Sequence, residues 1–134
     1  MTFGKCTKTL VMCHCETGNI WTHLLAFVYI CYQFYLIRNP LGSVYSRLND
    51  PSSFALLQIG CLSIMFMTAA SSTYHTYSAM SKKITDFLLR IDLIGIGVMI
   101  FTLCMVLLYT AYHAHENLRN GAISIMLTIA ILNF

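Results

Sequence analysis

Apolar residues dominate three long runs, Ile20 to Ile37, Phe54 to about Tyr77 and about Leu88 to Tyr112, and polar or turn-forming residues separate them. Each run is near the length of about 20 helical residues that crosses a bilayer core of roughly 30 Å. A fourth run, Gly121 to Phe134, has 14 residues. At about 1.5 Å per residue it extends only about 21 Å, so it reads as a span cut short by the end of the chain. The pattern predicts an all-α, multi-pass transmembrane bundle over residues 16–134, preceded by a tail over residues 1–15. A soluble bundle does not account for three separated spans with charged connectors. A cleaved signal peptide also fits poorly, because "TLVMCHCE" is too short and too polar for its apolar segment.

The connectors carry their own signals. In "RNP" the residue before proline resists the helical region, which ends the first helix. In "NDPSS" Asp50 is suited to cap the second helix, with Pro51 in its first turn. "NG" at Asn120 and Gly121 marks a turn before the last run. Lys5 and Lys8 lie in the tail, and Lys82, Lys83 and Arg90 lie in and just beyond the second connector. Arg38, Arg47 and Arg119 occupy the opposite side. The positive-inside rule therefore predicts a cytoplasmic N-terminus.

Composition strengthens this picture. The 134 residues are 57% hydrophobic and 10% charged, where a soluble domain is nearer a quarter charged. A net charge of +3 without a basic, aromatic-laced patch gives no support for a nucleic-acid partner. The six cysteines do not form a disulfide framework. Cys31, Cys61 and Cys104 fall inside spans as small hydrophobes, and Cys6, Cys13 and Cys15 fall in the tail.

Ionisable groups at membrane depth are functional candidates by default, and three clusters stand out toward the cytoplasmic side. Glu16, Asn19 and His23 share a face at i, i+3, i+7 beside Trp21, and read as a structural brace for the first span. Thr68, Ser71, Ser72 and His75 form a stripe on the second. Small residues explain the stripe as a packing seam. They do not explain His75, which is a metal ligand or proton-transfer group, or else a satisfied interfacial histidine. Asp92 lies one turn into the third span and needs a partner or a metal. An ion pair with Arg90 or Lys83 is the plainer alternative. Antiparallel spans joined by a short connector let His75, Ser71 and Asp92 converge, and such groups suit a zinc-activated water. His113, His115 and Glu116 lie at the far end of the third span, about 30 Å from Asp92, and read as an outer loop.

Three stretches together, "ETGNIWTHLL", S-x-x-x-H at Ser71 to His75 and D-x-x-G at Asp92 to Gly95, closely resemble the progestin and adipoQ receptor family (PAQR), with its adiponectin-receptor and haemolysin-III-like members. The similarity runs from about Met12 to about Thr110 and is specific in order, spacing and placement. The resemblance implies seven transmembrane helices with the N-terminus inside, and a zinc ion held near the cytoplasmic face by three histidines. One of these corresponds to His75. Asp92 corresponds to the aspartate that contacts the water on the zinc, and Ser71 to the serine beside it. It further implies a receptor for a hormone or lipid ligand, ceramidase-type hydrolysis of a lipid amide, and residence in the plasma membrane or the Golgi and endomembranes. The other two histidines belong to an H-x-x-x-H motif that this sequence lacks. The expectation is therefore an N-terminal three- to four-helix part of that fold with an incomplete zinc site. A non-catalytic receptor or scaffold, or an inactive truncated product, is the alternative.

Overall fold

The structure, a computed structural model, describes residues 2–39 and 50–133. Among these it is helical throughout: α1 (Phe3–Lys8), a short 3-10 turn (Thr9–Val11), α2 (Thr17–Arg38), α3 (Pro51–Tyr77), α4 (Lys82–Ala111) and α5 (Glu116–Asn133). α2, α3 and α4 are each long and apolar enough to cross a membrane. The all-α membrane bundle expected from the sequence is what the chain forms.

The helix ends follow from local chemistry. α2 closes at Asn39, whose N–H donates to the Tyr35 carbonyl at 3.0 Å. Pro40 and Arg47 lie outside the described residues. α3 starts as the "NDPSS" pattern requires. The Asp50 carboxylate accepts from the Ser53 N–H at 2.8 Å, the Ser52 N–H at 3.3 Å and the Ser53 hydroxyl at 2.6 Å. Pro51 occupies the first turn, where no backbone donor is needed.

The Ser53 bonds hold the Asp50 carboxyl below its usual range. A depressed folded-state pKa gives stability that is complete above the ordinary carboxylate value and is lost as pH falls through the lowered one. The first turn of α3 is therefore expected to open to amide exchange in acid but not at neutral pH. Asp50→Asn, a cap that does not titrate, should flatten that dependence. A wild-type first turn equally protected at both pH values would rule the cap effect out.

The "NG" expectation is corrected. α5 runs unbroken through Asn120 and Gly121, and starts at Glu116. Glu116 and Arg119, one turn apart, approach to 3.8 Å. Arg119 also donates to the His113 carbonyl at 3.3 Å and lies over the Tyr109 ring, its guanidinium carbon 4.8 Å from the ring centre. These contacts let the helix begin before the pair that resembled a turn.

α3 is the centre of the bundle, packing against α2 and against α4. Two close approaches fix the antiparallel register of α3 and α4. A Cβ placed on Gly60 would lie 3.7 Å from Val106 Cγ2, and one on Gly95 would lie 3.1 Å from the Met67 Cα. Hydroxyls along α3 bond back to their own helix: Thr68 to Ile64, Ser72 and Thr73 to Ala69, and Thr76 to Ser72. Much of the polar stripe is thus satisfied in place, as a small-residue seam should be.

The tail is more ordered than a cytoplasmic extension suggests. α1 leans on α3, with the Thr7 hydroxyl 3.4 Å from the Tyr77 hydroxyl and Cys6 fully buried. The Trp21 indole N–H donates to the Leu10 carbonyl at 3.0 Å, tying the tail to α2. Cys13, Cys15, Cys31, Cys61 and Cys104 are free thiols.

Candidate functional site

The chain around His14 to Thr17 turns sharply into α2. The His14 N–H donates to the Thr17 hydroxyl at 2.8 Å, and that hydroxyl donates to the Met12 carbonyl at 3.0 Å. The Glu16 N–H donates to His14 Nδ1 at 3.2 Å. Glu16 stands at the N-cap of α2, but its carboxylate makes no cap bond to the helix. It turns instead to α3, where Oε2 lies 2.8 Å from His75 Nδ1. The Asn19 amide donates to the same oxygen at 2.9 Å. Those two bonds, Asn19 first and His75 second, hold the Glu16 carboxyl below the usual carboxylate range. His23, two turns along α2, stacks on His75 with ring centres 6.0 Å apart and planes within 10°. Tyr74 meets the same ring at a tilt, 5.0 Å between centres.

Sequence spacing grouped Glu16, Asn19 and His23, and separately isolated His75. The structure brings the four together. His14 and Tyr74 were not singled out. The HxE spacing of His14 and Glu16 was their available signal, but a lone imidazole before a helix is otherwise commonplace. His14, Glu16 and His75 also line a cavity of about 370 Å³ with Cys6, Cys15, Ser78 and Ala79.

Asp92 and Ser71 are buried, at 6% and 4% exposure. The antiparallel contacts of Gly95 with Met67 and Ala70 and of Gly60 with Val106 set Asp92 opposite the end of α3 that carries Ser71 and His75. Asp92 Oδ1 has no hydrogen-bond partner among the described residues. The ion pair weighed for it does not form. Arg90 lies instead beside Lys83, Asp86 and Phe87 in a hollow of about 280 Å³. A buried carboxylate oxygen without a partner carries a desolvation cost.

The metal-binding potential of this region is partial. Among the described residues no three His, Cys, Asp or Glu side chains are grouped to hold a metal ion. His75, with its Nδ1 engaged, offers a single imidazole donor through Nε2, and the orphaned Asp92 oxygen is an acceptor rather than a metal ligand. A closed coordination shell needs further donors. His113 and His115 do not supply them. Both are exposed at the opposite end of α4, where His113 packs on Tyr109, which in turn reaches Asp50 at 3.5 Å.

Three apolar spans, with a polar cluster gathered at one end of a helical hairpin, define a multi-pass integral membrane protein with a candidate site at the membrane boundary. A family model described as haemolysin-III related matches residues 11–134, and the chain belongs to that family. It is similar to the adiponectin receptor protein of Drosophila melanogaster, 29% identical over 98% of this chain and 29% of the relative. Progestin and adipoQ receptor-like protein 1 of Caenorhabditis elegans is 25% identical over 96% of this chain and 29% of the relative. Membrane progestin receptor gamma of Mus musculus is 33% identical over 80% of this chain and 30% of the relative. The chain thus spans less than a third of the length of these relatives. The resemblance read from "ETGNIWTHLL", S-x-x-x-H and D-x-x-G agrees with this membership.

Proposed function

We propose that this chain forms the N-terminal helices of a PAQR-type membrane receptor whose cytoplasmic-side site takes zinc and hydrolyses a lipid amide. The observation that carries the reading is Asp92: a buried carboxylate oxygen without a partner among the described residues, opposite the end of α3 that carries Ser71 and His75. His75 would hold the metal through Nε2, since Nδ1 is engaged by Glu16. Zinc supplies a Lewis acid that lowers the pKa of water and polarises a carbonyl. Asp92 Oδ1 would accept a proton from the water that attacks the amide carbonyl and return it to the nitrogen as the C–N bond breaks, and the Ser71 hydroxyl would donate to the carbonyl oxygen, leaving a fatty acid and an amine. The N-terminus is cytoplasmic on this reading. Lys5, Lys8, Lys82, Lys83 and Arg90 then share the inner end with the site.

The relatives are named as receptors, which favours a second reading, a non-catalytic receptor; any zinc in it would be structural. One experiment separates the two. The native protein, purified at full length from membranes, is expected to carry about one zinc and to release fatty acid from ceramide. His75→Ala should abolish both. Zinc retained in full by His75→Ala would sink the metal assignment. Zinc lost with no hydrolysis by the wild type would leave the structural-zinc receptor.

A further inference from the structure

We infer that Glu16 is a positioning residue for His75, fixing the proton on Nδ1 and leaving the Nε2 lone pair as the metal-binding position; this rests on the zinc reading above. A carboxylate has only lone pairs to offer, so the proton in the 2.8 Å contact between Glu16 Oε2 and His75 Nδ1 is on the ring. A neutral imidazole then carries its lone pair on the other nitrogen. Carboxylate–histidine pairs of this kind set the tautomer and orientation of metal-binding rings and raise their basicity.

Glu16 is itself held from two directions. Asn19 donates to the same oxygen at 2.9 Å, and the backbone N–H of Glu16 is bound to His14 Nδ1 at 3.2 Å. The His75 ring is confined as well, by parallel His23 and tilted Tyr74. The contact spans 59 positions of sequence and joins the start of α2 to the last turn of α3. A strut that only tied the helices together would be indifferent to which ring nitrogen it used. Here the arrangement specifies one, so "ETGN" and the turn before it set the ligand chemistry of a residue on another helix.

The test uses the native full-length protein and reads two quantities. Zinc affinity, measured by competition with a chelator, should fall about 10- to 100-fold in Glu16→Ala while thermal unfolding and size-exclusion behaviour show an intact fold. Glu16→Gln, whose amide oxygen still accepts from Nδ1, should recover part of that loss. Affinity unchanged in both folded variants overturns the inference. The second readout needs no metal. Nitrogen-15 histidine spectra of the zinc-free protein should show His75 protonated on Nδ1, and Glu16→Ala should move the population toward Nε2–H. The same tautomer in both, or a wild-type ring protonated on Nε2, also overturns it. If Glu16→Ala fails to fold, Glu16→Gln carries both readouts, with a smaller loss of affinity and a mixed tautomer expected. If the wild type binds no zinc, the proposed function falls, and the tautomer measurement still decides the role of Glu16.

Discussion

Replacing Gly95 by leucine is expected to separate α4 from α3 and to cost about 3 kcal/mol or more, the upper end for overpacking a close contact. Even a single Cβ at this position would lie 3.1 Å from the Met67 Cα, 3.6 Å from its Cβ and 3.7 Å from the Ala70 Cβ. The tightest of these neighbours is backbone, which cannot swing aside as a flexible side chain can. Leucine adds three further carbons to a contact that has no room for the first. Unfolding in detergent, followed by tryptophan fluorescence and size exclusion, should show a large loss of stability and of monodisperse protein. Gly60→Ala is the matched control. Its new methyl would meet only Val106 Cγ2 at 3.7 Å, an ordinary contact, and a helical alanine is favoured over glycine by about 0.5–1 kcal/mol. Equal behaviour of Gly95→Leu and Gly60→Ala would show that the α3–α4 register is wrong.

Asp92→Asn is expected to stabilise the protein and to disable it. Asparagine replaces the carboxyl with a group that carries no charge, which lowers the desolvation cost of burial at this position. On the proposed mechanism the same change removes the general base, whose loss lowers a rate by about 10²–10⁴-fold. Zinc content should stay near the wild-type value, because His75 and its brace are untouched. Stability and hydrolysis therefore move in opposite directions. If Asp92 served packing alone, Asp92→Asn would lower stability, and hydrolysis would change only as far as the folded fraction does.

Much of the architecture is legible in the sequence because lipid imposes a simple rule. A spanning segment must be apolar and must satisfy its own backbone, so the positions of α2, α3 and α4 follow from hydropathy and the start of α3 from Asp50 and Pro51. The Asn120–Gly121 signal failed because turn propensity is local, whereas α5 is extended backward by Glu116 and Arg119. The ends of α4 show the same limit. The helix begins at Lys82 although the apolar run begins near Leu88, because charged residues continue a helix past the lipid without breaking it.

The candidate site divides along the same line. His75 and Asp92 are visible in the sequence as candidates, since ionisable groups at the edge of an apolar run need partners, with an interfacial histidine and an ion pair as the plainer readings. Their surroundings are not. Nothing in the spacing of Glu16 says that its carboxylate passes over the cap of its own helix to reach a ring 59 positions later. Nor could the sequence decide between an ion pair and an orphaned oxygen for Asp92, because Arg90 and Asp92 are close in sequence yet project differently around α4.

The length of α4 sets the depth at which Asp92 stands. The helix has 30 residues and Asp92 is ten past its first, so the carboxylate lies about 15 Å from the start of a helix about 45 Å long. From Asp92 to Ala111 the helix measures about 28 Å, close to the roughly 30 Å hydrocarbon thickness. With the far boundary set at Ala111, Asp92 falls near the opposite boundary of the core, and its 6% exposure is due to the neighbouring helices. A bilayer lipid keeps its own polar linkage at that same level. On the lipid-amide reading proposed above, the bond to be cut would stand at the depth of Asp92 while the lipid tails stay in the bilayer.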